Sequence, residues 1–133
     1  MQDGIISIQS HVAFGHVGNS AAAFPLQRLG HEVWPVNTVL FSNHTGYGAW
    51  RGDVLPVGTV REVLAGVEER GGFDRAKAVL SGYLGTPELG CAVLETVANV
   101  RARRPASLYV CDPVMGDLDG GFFVREGLPE FFR

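Results

Sequence analysis

Four short clusters in this sequence set hydroxyl, aromatic or carboxylate side chains beside turn-forming residues: Ser10-His11, Thr45 with Tyr47, Gly82-Tyr83, and Asp112-Pro113 followed by Gly116-Asp117. A structural turn needs glycine or proline, but it does not need this recurrence of polar and aromatic groups. If the four clusters meet, they form a ligand site. A phosphate-cradling GxxxxGK[ST] loop is absent, and a GxGxxG dinucleotide fingerprint is replaced by Gly15-His16-Val17-Gly18. A Gly-x-x-Gly entry to a helix can turn backbone N–H groups toward an anion, although tight packing is the preferred explanation for it. His11, His16 and His44 lack suitably spaced carboxylate partners for a metal centre, and His11 and His16 read as packed loop histidines.

The elements that must carry these clusters alternate between strand and helix. Apolar runs predict strands over Gly4–Gln9, Glu32–Asn37, Ala78–Ser81 and Leu108–Cys111, the last buried with an inert Cys111. Asn19–Leu29 predicts a helix that Pro25 kinks or shortens, with Gly30 as its stop. Val60–Glu69 predicts a second, with Val60, Val63, Leu64 and Val67 inward and a capping box from Thr59 to Glu62. Pro87–Arg101 predicts a third, and Leu128–Arg133 begins a fourth. Arg101, Arg103 and Arg104 fall at a helix end, where they suit the helix dipole. Thr38–Gly52 reads as an ordered loop or short strand pair that covers something, and Asp117–Gly121 as a turn. Alternating βα elements with apolar strands predict an α/β fold, a mostly parallel sheet flanked by helices in Rossmann-type layers. In such a sheet ligands bind beyond the carboxyl ends of the strands, and each cluster follows a predicted strand.

Composition narrows the function classes. The 133 residues suffice for one core, and 46% apolar with 19% charged residues is ordinary for a folded chain. A net charge of −3 argues against nucleic acid or an acidic membrane surface as partner. Two cysteines without CxxC spacing argue against a disulfide framework or zinc site and fit a cytoplasmic setting. No signal-peptide pattern and no membrane-spanning apolar run is evident.

Ser7-Ile8-Gln9-Ser10-His11-Val12, Gly15-His16-Val17-Gly18-Asn19, Phe41-Ser42-Asn43-His44-Thr45-Gly46-Tyr47, Ser81-Gly82-Tyr83 and Val110-Cys111-Asp112-Pro113-Val114-Met115-Gly116-Asp117 together resemble pyridoxal kinases of the ribokinase-like superfamily. The blocks occur in the family's order across almost the whole chain. The resemblance implies transfer of a phosphoryl group from ATP to the 5′-hydroxyl of pyridoxal or a related B6 vitamer, in vitamin B6 salvage to pyridoxal 5′-phosphate. It implies Mg2+ as cofactor, with a monovalent cation as a further candidate, and a homodimer. By the same resemblance Ser10 meets the polar edge of the pyridine ring, and Val17 and Tyr83 bracket it. His44, Thr45 and Gly46 come from the covering segment, Asp112 stands near the ATP phosphates and cations, and Asp117 helps hold magnesium. Gly46 departs from the pattern, because many relatives carry a bulkier polar residue such as glutamine there.

The family's general base is the aspartate of a Gly-Thr-Gly-Asp motif, and this sequence contains no such motif. The resemblance therefore implies that residues 1–133 are the N-terminal part of a single kinase domain, a truncated sheet with an unpaired apolar edge, and not competent alone. Two other readings are a ribokinase-like kinase of the hydroxymethylpyrimidine type and a non-catalytic module that binds B6 vitamers. The Asn43-His44-Thr45-Gly46-Tyr47 block favours pyridoxal.

Overall fold

A computed structural model describes residues 2–119, 121–122 and 124–133, without the side chain of Asp117. The elements follow the order β1 (Gly4–Val12), α1 (Asn19–Arg28), β2 (Glu32–Phe41), a 3₁₀ turn (Thr45–Tyr47), β3 (Gly52–Val54), α2 (Val57–Glu69), α3 (Gly72–Arg75), β4 (Ala76–Ser81), α4 (Pro87–Arg103), β5 (Leu108–Cys111), β6 (Gly116–Asp117), β7 (Gly121–Phe122) and α5 (Leu128–Phe131). Five strands form one sheet in the order β3-β2-β1-β4-β5. The pairs β2–β1, β1–β4 and β4–β5 are parallel, and β3 runs antiparallel at one edge. The expected mostly parallel α/β sheet with helices on both faces is the fold observed.

Strand β1 is central because nearly every residue in it is buried. Its side chains alternate between two different environments. Ile6 and Ile8 enter the main apolar core with Val36 and Val79 of the sheet, Val60 and Leu64 of α2, and Leu89, Val93, Val97 and Val100 of α4. Burying each such side chain contributes roughly 1.5–3 kcal/mol, so this face supplies most of the cohesion. Ser7 and Gln9 point the other way, under α1. There the Ser7 hydroxyl donates to Oδ1 of Asn19 at 2.7 Å, and Gln9 Nε2 donates to Ser7 Oγ at 3.0 Å. Asn19 Nδ2 donates to the Val36 carbonyl at 3.2 Å and to Oδ1 of Asn37 at 2.9 Å. One buried amide thus ties the first residue of α1 to both β1 and β2. Among the described residues no buried side-chain polar atom lacks a partner.

Several sequence expectations need correction. β2 continues past Asn37 to Phe41, because β1 is long enough to pair with it as far as Val12. The segment expected to begin as a loop at Thr38 therefore begins as buried strand, with Thr38 and Val39 both fully buried. Helix α2 starts at Val57, and Thr59 does not cap it: Pro56 holds the N-cap position with no side-chain bond, and its carbonyl accepts from Val60 N–H. Val63 is 47% exposed and lies off the inward stripe. Helix α1 is continuous through Pro25. Of the turn expected over residues 117–121, the flanking antiparallel pair β6–β7 is observed, and residue 120 lies outside the described residues.

Strand β5 was expected to be buried. It is the outermost strand of the sheet, its Cys111 is exposed, and Leu108 and Val110 are 64% and 49% exposed. An apolar strand on an open edge is the liability that the sequence pattern implied for an incomplete sheet. The three arginines at the end of α4 do more than face the helix dipole. Arg103 pairs with Glu68, Arg104 with Asp3 at 2.8 Å, and Arg101 donates to the Ser107 carbonyl. Thr86 caps α4 by accepting from Leu89 N–H, with Pro87 in the first turn.

Replacing Asn19 by alanine strands the Ser7 hydroxyl, the Asn37 side chain and the Val36 carbonyl. Asn19→Ala is expected to cost about 1–3 kcal/mol in urea-induced unfolding. Arg61→Ala, which removes a solvent-exposed pair with Glu95, is expected to stay within about 0.5–1 kcal/mol.

Candidate functional site

Four parallel strands end on the same edge of the sheet. From β1 the chain crosses to β2 on one side, while β4 lies on the other. This change of direction opens a crevice at the carboxyl end of β1, the general position for ligands in such sheets. A cavity of about 380 Å³ occupies it. Gln9, Ser10 and Val12 line it from β1, Phe41 from β2, Tyr83 from the end of β4, and Asp112 and Val114 from the segment after β5. His16, Val17, Gly18 and Ala21 close it from the entry to α1, and His44 and Thr45 from the 3₁₀ turn.

Local geometry explains how each group is held. The β1–β2 register shifts between Gln9 and His11, a bulge that falls at Ser10 and re-aims the end of the strand. Gly18 then crosses directly over Ser10. Its φ is +56°, and a Cβ there would lie 2.3 Å from Ser10 Oγ and 2.4 Å from the Ser10 carbonyl oxygen. Only glycine fits, so the Gly-x-x-Gly spacing is explained here by close packing. The Ser20 hydroxyl donates to the Val12 carbonyl at 2.8 Å and accepts from Val12 N–H at 3.2 Å. The same hydroxyl lies 3.1 Å from His11 Nδ1, so it ties the end of β1 to α1 at three points.

Tyr83 is fixed across the sheet by Thr38, whose hydroxyl donates to the Tyr83 carbonyl at 2.5 Å. Its ring meets Phe41 edge-on at 6.4 Å, and Phe41 stacks on Trp50 at 4.2 Å between centroids. Burial raises the Tyr83 phenol above its ordinary pKa of 10.0, so the ring stays neutral at physiological pH. Asp112 N–H donates to the Ser81 carbonyl at 2.9 Å, and the Asp112 carbonyl accepts from Val114 N–H at 2.9 Å, which turns the chain along the cavity rim. The Ser81 hydroxyl and the Tyr109 phenol share a 2.9 Å hydrogen bond below that rim, and burial raises the Tyr109 pKa as well.

Of the residues singled out in the sequence, Ser10, Val17, His44, Thr45, Tyr83 and Asp112 converge on this one cavity. Gly46 is not part of its lining; it supports His44 through its backbone. The side chain of Asp117 lies outside the described residues. Neither histidine expected in a packed loop is one: His11 lies within β1 against Ser20, and His16 is exposed and faces the cavity. Sequence reasoning also missed Phe41 and Gln9 as walls and Thr38 as the anchor of Tyr83. The apolar–polar pattern up to Phe41 marks an extended strand in retrospect, but nothing local announces a hydrogen bond across 45 residues.

The chemistry of the cavity is mixed: aromatic and aliphatic walls carry a few directional polar groups, and one carboxylate stands at an accessible rim. That composition suits a flat polar ring held face and edge, next to a charged co-ligand.

No protein-family model matches the chain. Curated relatives do. Pyridoxal kinase PdxY of Rubrobacter xylanophilus is 64% identical over 129 residues, which are 97% of this chain and 44% of the relative. Pyridoxal kinase PdxY of Corynebacterium diphtheriae is 54% identical over the same length, 46% of that relative. Among solved structures, pyridoxal kinase from Leishmania donovani in complex with ADP and pyridoxamine superposes with a TM-score of 0.92 at 36% identity, covering 98% of this chain and 46% of that one. The chain spans a little under half the length of the relatives it matches, and over that span it is similar to pyridoxal kinases in sequence and in fold.

Proposed function

We propose that this chain forms the vitamer-binding side of an ATP-dependent pyridoxal kinase, as the N-terminal part of a single ribokinase-like domain. The observation that carries this reading is the convergence of Ser10, Val17, His44, Thr45, Tyr83 and Asp112 on one cavity at the switch point of the sheet. The solved relative from Leishmania donovani, which holds ADP and pyridoxamine, supports it.

In this reading Ser10 hydrogen-bonds the polar edge of the pyridine ring, and Val17 and Tyr83 flank its faces. His44 and Thr45 close the site from the 3₁₀ turn. The 5′-oxygen bonds to the γ-phosphorus of ATP, the β–γ bridging bond breaks, ADP leaves, and the hydroxyl proton passes to a base. These 133 residues contain no Gly-Thr-Gly-Asp motif to supply that base. The chain's own contribution is therefore to bind and orient the acceptor, and that contribution alone can account for a large part of a phosphoryl-transfer barrier.

Asp112 is an exposed carboxylate on the cavity rim, and among the described residues no group of three or more His, Cys, Asp or Glu forms a metal cage. A single rim carboxylate suits Mg2+, which keeps several waters and takes its other ligands from phosphates. Asp112 would hold such an ion together with Asp117, and a monovalent cation could share the region. The ion would neutralise charge on the transferred phosphate. Among the described residues no helix is long and apolar enough to cross a membrane. Cys91 and Cys111 are free, which supports a reducing cytoplasmic setting. A homodimer of the whole protein belongs to the same reading.

Calorimetric titration of the 133-residue chain with pyridoxine, a hydroxymethylpyrimidine and ATP tests the proposal. Pyridoxine is expected to bind in preference to the pyrimidine. Ser10→Ala and Tyr83→Ala are each expected to weaken it about tenfold, the worth of one hydrogen bond or one aromatic wall. Gly18→Ala, which forces a Cβ onto Ser10, is expected to abolish binding. Tighter binding of the pyrimidine would shift the reading to the other kinase type. Incubation with pyridoxal, ATP and Mg2+ is expected to yield no pyridoxal 5′-phosphate. Product formation that Asp112→Ala abolishes would show that the chain is competent alone.

A further inference from the structure

Gln9 is only 8% exposed and lines the cavity, yet half of its carboxamide has no partner. Nε2 donates to the Ser7 hydroxyl at 3.0 Å. Among the described residues no donor reaches Oε1. A fully enclosed polar atom in that condition would be an orphan, and the described residues contain none, so Oε1 opens on the cavity. It stands beside Gly82. A Cβ on Gly82 would lie 2.4 Å from Oε1 and 3.0 Å from both Cδ and Cγ of Gln9. Gly82 is not among the glycines with positive φ, and its N–H donates to the Ile8 carbonyl at 3.0 Å. The carboxamide, not the backbone, therefore excludes a side chain at Gly82. Strands β1 and β4 are neighbours, so the oxygen lies between the strand ends that carry Ser10 and Tyr83.

Which end of the carboxamide faces the cavity is set three groups away. The Val36 carbonyl can only accept, so the end of Asn19 that meets it at 3.2 Å is the amide nitrogen. Oδ1 of Asn19 then faces Ser7 at 2.7 Å, and the Ser7 hydroxyl gives its one proton there. With that proton committed, Ser7 Oγ can only accept from Gln9. Nε2 is held against Ser7, and Oε1 is turned away from it. Reversing the Gln9 amide would set two acceptors against each other at Ser7.

We propose that Gln9 is a further ligand-binding residue of this cavity, presenting a fixed acceptor that takes a hydrogen bond from an O–H or N–H of the bound ring, with Ser7 and Asn19 as positioning residues that act through it. A partly desolvated acceptor without a donor is unfavourable, and a ligand donor relieves that cost. A ligand with only lone pairs at that place would meet a second acceptor. The role of Gln9 toward a vitamer rests on the B6-vitamer reading given above; the orientation of its amide does not.

Solution spectra of the 133-residue chain labelled with carbon-13 and nitrogen-15 test this. In the free chain the Nε2 protons of Gln9 are expected to show stronger Overhauser contacts to the Ser7 β-protons than to the Gly82 α-protons. On saturation with pyridoxine, whose hydroxyls can each donate, the Gln9 Cδ signal is expected to move downfield, as a carbonyl carbon does when its oxygen accepts a hydrogen bond. A purely structural Gln9 would leave that signal in place. By calorimetry, Gln9→Met is expected to weaken pyridoxine about five- to tenfold, the size of one hydrogen bond. Ser7→Ala is expected to weaken it as well, with Gln9 still present, and to lose the bias in the Overhauser contacts. Reversed contacts in the free chain overturn the orientation. Pyridoxine that binds with the Cδ signal unmoved, or that binds Gln9→Met as tightly as the unaltered chain, overturns the acceptor role and leaves the vitamer reading intact. If pyridoxine does not bind the unaltered chain, the vitamer reading and the acceptor role fall together, and the Overhauser contacts still decide the orientation.

Discussion

The side-chain amide of Asn19 is the joint on which the candidate site turns. It is buried, it is the first residue of α1, and its four-membered hydrogen-bond set reaches Ser7, Val36 and Asn37 while Gln9 closes the set through Ser7. A buried amide left unpaired is costly, so the arrangement is either complete or strongly unfavourable. Being complete, it sets where α1 begins relative to β1 and β2. That in turn sets Gly18, one residue earlier, directly over Ser10. The polar face under α1 and the apolar face under α2 and α4 thus do different work. The apolar face supplies cohesion, and the polar face supplies register at the mouth of the cavity.

Around that joint the cavity is held by contacts that are long in sequence and short in space. Thr38 holds the Tyr83 carbonyl, Tyr83 leans on Phe41, and Phe41 is backed by Trp50. The 3₁₀ turn is tied down mostly by its own neighbours. Asn43 Nδ2 donates to the carbonyls of His44 and Ala49, and the Ser42 hydroxyl accepts from Arg51 N–H. A segment closed by local bonds on a rigid floor can change its own shape without disturbing the sheet. His44 and Thr45 sit on that segment, whereas Ser10 and Tyr83 sit on the floor.

The open edge at β5 gives the sheet an asymmetry. On the β2 side the antiparallel strand β3 covers the edge, and among the described residues nothing covers β5, although Leu108 and Val110 are apolar. Asp112 and Val114 follow directly from this strand, so one wall of the cavity is attached to the least protected part of the sheet. The relatives run to more than twice the aligned length, and an apolar edge strand is suited to receiving further pairing.

By itself the sequence determined the alternation of strands and helices, Pro87 in the first turn of α4, and the residue types beyond each strand. These depend on local periodicity, on turn chemistry and on matched blocks, all of which are written in neighbouring letters. Ser10, Val17, Thr45, Tyr83 and Asp112 were legible for that reason. The tertiary structure decided what depends on partners far along the chain. Val110 looks like a core residue until its strand proves to be at an edge. Thr38 looks like the start of a loop until β1 proves long enough to pair with it. Thr59 looks like a cap until Pro56 starts the helix one turn earlier. His16 and Gly82 show the limit most clearly. Whether a histidine faces a cavity, and whether a glycine is there for its own backbone or for a neighbouring carboxamide, depends on distances of a few ångströms that only the folded chain creates.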